Sequence, residues 1–161
     1  MIRFSEEIKN DLIRQAKKEY PNECCGVLLG TRSGQDKLVI RQIAACNQAD
    51  QGAKNVHFKM SPLELLHIEQ LARTEQLEII GFYHSHPDCA ADASAEDMRY
   101  MIPGLSYPIL SIVSGDLAEI KSYGKTECEN RYAKEEEIVI QKECKNSIME
   151  DDGNSEDTEQ L

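Results

Sequence analysis

An apolar run that ends in two histidines constrains the fold of this chain more than any other feature. Residues 77–86 hold isoleucine, phenylalanine and tyrosine with little polar surface between them, which predicts a strand in the middle of a sheet. His84 and His86 end the run, and Pro87 stops it because proline cannot donate to a strand ladder. Since residues two apart on a strand face the same way, both imidazoles should project from one face.

The rest of the chain alternates between helix-like and strand-like patterns. Ser5 precedes an apolar face with helical spacing, and Pro21 ends that helix. Ser61, Pro62 and a glutamate three residues after the serine begin a second helix, which the spacing carries to about residue 76. These patterns predict an α/β fold with a mixed β-sheet flanked by helices. The other predicted strands are 25–29, 37–45, 56–60, 108–114, 118–123 and 135–141, and a third helix begins at Ser94 and ends by residue 103.

Length and charge define the domain organisation and exclude one class of partner. The 161 residues suit one domain of ordinary size. The formal net charge of −11 argues against a protein that binds the phosphate backbone of DNA or RNA, so we expect no nucleic-acid partner. Acidic residues crowd the end of the chain, where little apolar material is present to fold. We predict a folded domain over residues 1–145 and an acidic, flexible tail over 146–161.

Apolar runs and the N-terminus predict the cellular compartment, and the compartment predicts the state of the cysteines. No stretch approaches the roughly 20 apolar residues that span a membrane, and the first residues lack the basic start and apolar run of a secretion signal. The expectation is therefore a cytoplasmic protein with no membrane partner. The six cysteines should be free thiols in that compartment, and the lack of a Cys-x-x-Cys pair argues against a cysteine-based zinc finger.

The two histidines and a nearby aspartate have the chemistry of a metal site. His84 and His86 can converge on one ion, and the loop after them can return Asp97 to it. On zinc, such a ligand set leaves a fourth position for water, as catalytic sites require. The simpler alternatives are polar histidines at a strand end and, for Ser94 with Asp97, the spacing of a helix cap. A capped helix would also hold the aspartate in place, so the two interpretations are compatible.

A metal hydrolase also needs a group that takes a proton from the attacking water and returns it to the leaving amine. Glu23, just before the predicted strand at 25–29, is the candidate. The alternative for this position is a solvated loop glutamate without a catalytic role.

This spaced set of polar residues resembles the motif of the JAMM/MPN-type zinc metalloproteases, and the similarity extends over residues 1–140. The matching residues are Glu23, His84, His86, Ser94 and Asp97. The resemblance implies that the two histidines and Asp97 bind Zn²⁺, that Glu23 is the general acid/base and that Ser94 stabilises the developing oxyanion. It also implies the family's α/β sandwich, in which helices flank a central mixed sheet related to that of cytidine deaminases.

Members of that family hydrolyse amide or isopeptide bonds after the C-terminal glycine of ubiquitin-like proteins. This chain is similar to the compact prokaryotic single-domain members, because only ten residues separate Asp97 from Pro108 and leave no room for a large insertion. Those members resemble enzymes that process sulphur carriers, including removal of a cysteine from a carrier. The resemblance therefore implies a ubiquitin-like protein or sulphur carrier with a C-terminal Gly-Gly as the substrate.

Two other classes of protein compete with this interpretation. A non-catalytic zinc-binding scaffold of the same fold would bind ubiquitin-like partners without turnover, but its mark is the loss of a ligand or of the glutamate, and all are present here. A zinc nucleobase deaminase would carry a His-x-Glu signature together with Pro-Cys-x-x-Cys, and this sequence lacks that combination. A peptidase that acts on ordinary intracellular peptides remains open.

Several residues near the motif carry smaller expectations. Ala93 stands where relatives often have proline, which predicts a more mobile loop. Cys89 in that loop is either an ordinary apolar thiol or an alternative metal ligand. Cys24 and Cys25 should be buried strand thiols. The two remaining histidines, His57 and His67, are expected to be structural and to lie outside the site.

Overall fold

The computed structural model describes residues 1–126 and 133–141 of the chain. The predicted tail over 146–161, the domain boundary at 145, Cys128 and Cys144 lie outside these residues. In chain order the elements are β1 Ile2–Ser5, α1 Glu6–Glu19, β2 Cys25–Ser33, β3 Asp36–Ala45, α2 Pro62–Thr74, β4 Glu78–Pro87, α3 Ala95–Tyr100, β5 Ser106–Val113, β6 Asp116–Gly124, β7 Lys134–Glu136 and β8 Ile138–Gln141. No helix in this part of the chain is long and apolar enough to cross a membrane.

The strands form one mixed sheet in the order β7-β6-β5-β4-β2-β3-β1-β8. The pairs β1–β3, β1–β8 and β4–β5 are parallel, and the others are antiparallel. The predicted fold class, a mixed sheet with flanking helices, is confirmed. The predicted central strand is β4, which lies between β2 and β5 inside the sheet.

The sheet curls until its two edges share one segment of chain. Only Glu137 separates β7 from β8, yet these strands stand at opposite ends of the strand order. The curvature also brings Lys37 Nζ of β3 to 2.7 Å from Ser106 Oγ of β5 and to 3.5 Å from a carboxylate oxygen of Glu136 in β7. The predicted single strand over 135–141 is therefore two strands, because successive parts of this segment find ladder partners on different edges.

Both faces of the middle of the sheet are covered, which explains the continuous apolar run at the start of β2. Successive strand residues point to opposite faces, so Leu28 packs on the α1 side while Val27 and Leu29 pack on the α2 side. Buried neighbours are Phe4, Leu12 and Tyr83 in the first cluster and Ile68 and Ala72 in the second. The two helices thus enclose β2 and β4 and hold the end of β4 in a rigid frame.

The predicted strand over 56–60 is wrong, because this segment has no regular secondary structure. The Asn47 side chain satisfies its backbone instead: Nδ2 donates to the carbonyl of His57 at 2.9 Å, and Oδ1 accepts from the amide of Lys59 at 3.2 Å. The backbone amide of Gln48 also donates to the carbonyl of Lys59 at 2.8 Å. A side chain in the preceding loop therefore replaces the ladder that a strand would need.

The helix starts are where the sequence places them, but only some of the caps form. Ser5 Oγ accepts from the amide of Ile8 at 3.1 Å, as expected for an N-cap. Ser61 is the N-cap of α2 without a side-chain cap bond. Its predicted partner, Glu64, instead accepts from the amide of Cys46 at 3.2 Å and so ties the helix to the loop after β3.

Candidate metal centre and active site

The end of β4 carries the two histidines, and both side chains are mostly buried. His84 is opposite Cys25 of β2 and Ile109 of β5, so the backbone is paired on both sides at this position. The side chain of His84 is 3% exposed and that of His86 is 12% exposed. The strand thus presents two largely buried imidazoles on one of its faces, as the two-residue spacing predicts.

The structure brings all three predicted metal ligands together. The Nε2 atoms of His84 and His86 are 3.0 Å apart, and Asp97 oxygens lie 3.2 and 3.5 Å from the two nitrogens. All three ligand atoms lie within 4.8 Å of one another. Tetrahedral zinc with bonds of about 2.0–2.1 Å holds neighbouring ligand atoms roughly 3.3 Å apart. Donor types and spacing therefore both fit Zn²⁺.

Each histidine has a neighbour that orients its ring. His86 Nδ1 lies 2.9 Å from the carbonyl oxygen of Ala90, which can only accept, so Nδ1 carries a proton and Nε2 is the nitrogen left to face a metal ion. The Phe58 ring stacks on His84 with centroids 4.8 Å apart and planes at 29°. Phe58 had no signal in the sequence, because only the fold of the loop before α2 places it against the histidine.

The electrostatics suit a cation. Burial lowers the pKa of His84, although Asp97 opposes this effect, so its imidazole is neutral. Burial also disfavours a charge on His86, but hydrogen bonds to Asp97 and to Ala90 raise its pKa overall. Burial likewise disfavours a charge on Asp97, yet hydrogen bonds from both histidines and from Ser94 hold its pKa well below the ordinary range. The carboxylate therefore stays ionised.

Ser94 and Asp97 form the predicted capping box at the start of α3. Asp97 Oδ2 accepts from the amide and the hydroxyl of Ser94, while Oδ1 faces His84. The Ser94 hydroxyl hydrogen points at Asp97 in this arrangement. The oxyanion role expected for Ser94 would require the hydroxyl to rotate toward the cavity that it lines, and it stays a prediction.

Glu23 is buried, at 6% exposed, and lines the same cavity as the three ligands. Its backbone is held on both sides: the amide donates to the carbonyl of Lys54 at 2.7 Å, and Asn47 Nδ2 donates to its carbonyl at 3.1 Å. Burial raises the pKa of Glu23 to about 7, partly offset by His86. A carboxyl group with this pKa can take up and release a proton near neutral pH, which a solvated loop glutamate does poorly.

The cavity over these residues has a volume of about 940 Å³. Its walls come from the loop after β3 and from the segment around α3, and Val56, Phe58 and Tyr100, together with Tyr107 of β5, give the cavity apolar surface. His57 of the first wall lies 2.8 Å from a carboxylate oxygen of Glu96 in the second. His57 thus lies in a loop that lines the cavity and not in the predicted strand, and it is not part of the group of potential metal ligands among the described residues. His67 does not line the cavity.

The cysteines of the described residues, Cys24, Cys25, Cys46 and Cys89, are all free thiols, as predicted. Burial raises the pKa of Cys24 to about 11 and that of Cys25 to about 12, so both are inert buried thiols, Cys25 in β2 and Cys24 just before it. Cys89 is exposed and lines the cavity, but the one potential metal-ligating group found among the described residues does not include it.

The fold and the site define a JAB-type domain with a buried two-histidine, one-aspartate centre. Residues 5–124 match the family Prok-JAB, the prokaryotic homologs of the JAB domain. This chain therefore belongs to the prokaryotic JAB-domain family, which confirms the resemblance drawn from the motif.

Two proteins of known name are similar in sequence. The desampylase of Pyrococcus furiosus is 28% identical over 101 residues, which cover 63% of this chain and 65% of that protein. Tail tip assembly protein K of Escherichia phage N15 is 30% identical over 116 residues, which cover 71% of this chain and 42% of that protein. The matched region thus spans less than two thirds of the length of either relative.

Solved structures share the architecture. A protein from Desulfitobacterium hafniense superposes with a TM-score of 0.75 at 33% identity, with 91% of this chain and 97% of that one covered. One from Salinibacter ruber gives a TM-score of 0.67 at 26% identity, with 86% and 91% covered. A JAB1/MPN domain protein from Archaeoglobus fulgidus gives 0.54 at 18% identity, with 87% and 96% covered, and is similar in fold alone.

Proposed function

We propose that this protein is a zinc-dependent metallopeptidase or isopeptidase. It hydrolyses the amide bond after the C-terminal glycine of a ubiquitin-like protein or sulphur carrier, for example to release a cysteine from the carrier. The observation that carries the proposal is a buried Glu23, with a pKa near 7, in the same cavity as three convergent metal ligands. Similarity to a desampylase supports a ubiquitin-like modifier as the substrate.

His84, His86 and Asp97 would hold the zinc ion, and their ionisation supports this role. Two imidazoles and one carboxylate leave a position open for water or substrate. When bound, zinc lowers the pKa of water toward 7 and polarises a carbonyl group. Because His84 is neutral and Asp97 is ionised, neither of these two residues has to lose a proton before it binds the ion.

Glu23 would accept a proton from the attacking water and pass it to the leaving nitrogen. Near pH 7 a substantial fraction of this carboxyl group is ionised and can accept the proton of the attacking water. As the C–O bond forms and the C–N bond breaks, the same proton passes to the leaving nitrogen, so that Glu23 ends ionised as it began. Ser94 would donate a hydrogen bond to the developing oxyanion once its hydroxyl turns from Asp97.

The cavity suits an extended tail. Its two walls approach each other where His57 contacts Glu96, and we propose that the tail enters beside this contact. Glycine residues fit such a passage because they have no side chain to clash with either wall. We therefore propose that a C-terminal Gly-Gly segment enters between the walls, and that the apolar surface around Phe58 and Tyr107 contacts it.

The cellular setting follows from the sequence. We propose that residues 1–145 act as one domain in the cytoplasm, with residues 146–161 as an acidic tail. The net charge of −11 supports the proposal that neither nucleic acid nor a membrane is a partner.

Two substrates offered side by side test the function. One is a sulphur carrier that ends in Gly-Gly-Cys, and the other is an isopeptide-linked ubiquitin-like conjugate, with products identified by mass. We expect the zinc-loaded protein to release a carrier that ends in Gly-Gly from at least one of them. Glu23→Gln should bind zinc and release nothing. If wild-type protein holds zinc and cleaves neither substrate, the non-catalytic scaffold becomes the better account.

A further inference from the structure

One peptide group links a metal-site histidine to a carboxylate on another strand. The carbonyl of Ala90 accepts from His86 Nδ1 at 2.9 Å. The amide of Ala91 donates to Glu119 Oε1 at 3.0 Å. This carbonyl and this amide belong to the same peptide unit, which is planar and rigid. A movement of the Glu119 carboxylate would therefore turn the group that orients His86.

We propose that Glu119 is a positioning residue for the metal centre, acting on His86 through the peptide between Ala90 and Ala91. The proposal rests on the metal site assigned above. A metal-ligating histidine usually donates a hydrogen bond from its second ring nitrogen to a carboxylate or carbonyl. This bond fixes the tautomer and makes the imidazole a stronger ligand. Here the carbonyl accepts that proton, and the carboxylate lies one peptide unit further away.

The carboxylate of Glu119 is itself held by its own strand. Glu119, Lys121 and Tyr123 alternate along β6, so their side chains share one face. Lys121 Nζ lies 3.7 Å from Glu119 Oε2, which leaves Oε1 to the amide of Ala91. The same lysine binds Asp92 at 2.6 Å, and Tyr123 lies 3.4 Å from that aspartate. One face of β6 thus holds residues 91 and 92.

The start of the loop has separate supports. Asp88 accepts from the Tyr20 hydroxyl at 2.8 Å and from the amide of Ser114 at 2.9 Å. The carbonyl of Cys89 accepts from Ser111 Oγ at 2.6 Å. Because these bonds do not involve β6, removal of the Glu119 carboxylate should leave the loop folded and change mainly the Ala90–Ala91 peptide.

Three variants test the proposal. Glu119→Ala removes the acceptor, and Glu119→Gln keeps an oxygen for the amide of Ala91. Asp116→Asn is the matched control, because Asp116 is an acid on the same strand whose ion pair with Lys17 does not touch the loop. Zinc affinity is measured by competition with a chelator. The His86 tautomer is measured by nitrogen NMR, and the melting temperature by thermal denaturation, both on metal-free protein.

We expect Glu119→Ala to weaken zinc binding by about 10- to 100-fold, as loss of a group that orients a metal ligand does in other metalloproteins. Its His86 should lose the preference for a proton on Nδ1, while its melting temperature stays close to that of the control. Glu119→Gln should retain most of the affinity. Wild-type zinc affinity and an unchanged tautomer in Glu119→Ala would overturn the proposal.

The design separates this inference from the proposed function. Failure of wild-type protein to bind zinc would refute the metal centre, whereas the tautomer is read without metal and reports on Glu119 alone. If Glu119→Ala does not fold, Glu119→Asp replaces it, because the shorter side chain keeps the charge but withdraws its oxygen from the amide. Full zinc affinity in that variant would also overturn the proposal.

Discussion

Ser94 and Asp97 complete each other's hydrogen bonds at the first turn of α3. Ser94 Oγ accepts from the amide of Asp97 at 3.0 Å and donates to Asp97 Oδ2 at 2.6 Å. One carboxylate oxygen is thereby committed to the helix cap, and the other faces His84 at 3.2 Å. A local signal for helix initiation and a proposed metal ligand thus share one side chain.

Ser94→Ala should destabilise the protein and weaken zinc binding. Loss of an N-cap side chain costs about 1 kcal/mol of the free energy of unfolding, and Asp97 would lose one of the donors that hold its carboxylate. Urea denaturation and zinc competition measure the two effects. Ser61→Ala is the matched control, because Ser61 caps α2 without a side-chain cap bond. Equal stability losses in the two variants would contradict the role of the cap.

Glu23→Gln should make the metal-free protein more stable at alkaline pH. Burial raises the pKa of Glu23 from 4.5 to about 7, so the folded state holds this proton more tightly than the unfolded state. Its contribution to stability is complete below pH 4.5 and is lost as pH rises through 7. The variant should therefore gain up to about 3 kcal/mol over wild type at pH 8, and much less at pH 4.5. A pH-independent difference in urea denaturation would refute this expectation.

Removal of the metal should abolish activity without unfolding the domain. We expect purified protein to hold about one zinc ion, as this ligand set requires. A chelator should remove both zinc and hydrolysis, and added zinc should restore hydrolysis and raise the melting temperature, because ligands that bind only the folded state stabilise it. His84→Ala should not recover activity when zinc is added back. Hydrolysis by this variant at the wild-type rate would refute the mechanism.

His57→Ala should relax selectivity for the substrate tail. The contact with Glu96 joins the two walls at the rim, but both side chains are about half exposed, so the pair is worth at most about 1 kcal/mol. We expect the preference for a Gly-Gly tail over a Gly-Ala tail, measured as a ratio of kcat/KM values, to fall by up to about fivefold. Glu96→Ala should act alike, and Asp116→Asn should not. An unchanged ratio would show that the rim contact does not select substrates.

Asn47→Ala should reduce hydrolysis while it leaves zinc bound. The Asn47 side chain donates to the carbonyls of Glu23 and His57 and accepts from the amides of Ala49 and Lys59. Its loss should displace Glu23 and one cavity wall, whereas the metal ligands stand on β4 and α3 and keep their own contacts. Parallel measurements of kcat and zinc content test this. Loss of zinc together with activity would mean that the loop also supports the metal site.

Local patterns predicted the parts of the fold whose causes are local. The apolar run into His84 became the central strand β4, and Ser5 and Ser94 cap helices as their neighbours indicate. The error at residues 56–60 has a non-local cause, since Asn47 takes the hydrogen bonds that a strand partner would have made. The segment around Glu137 likewise pairs with two strands far apart in sequence, because β7 pairs with β6 and β8 pairs with β1. No pattern within one segment reveals such a pairing.

The sequence by itself determined that two histidines share one strand face and that an aspartate caps the next helix, because both features are consequences of short-range spacing. Only the tertiary structure decided how those groups behave. Burial raises the pKa of Glu23, Phe58 stacks on His84, and Glu119 is bound through a peptide that lies 28 residues away from it. Ionisation and orientation depend on desolvation and on contacts between distant segments, and these exist only once the chain has folded.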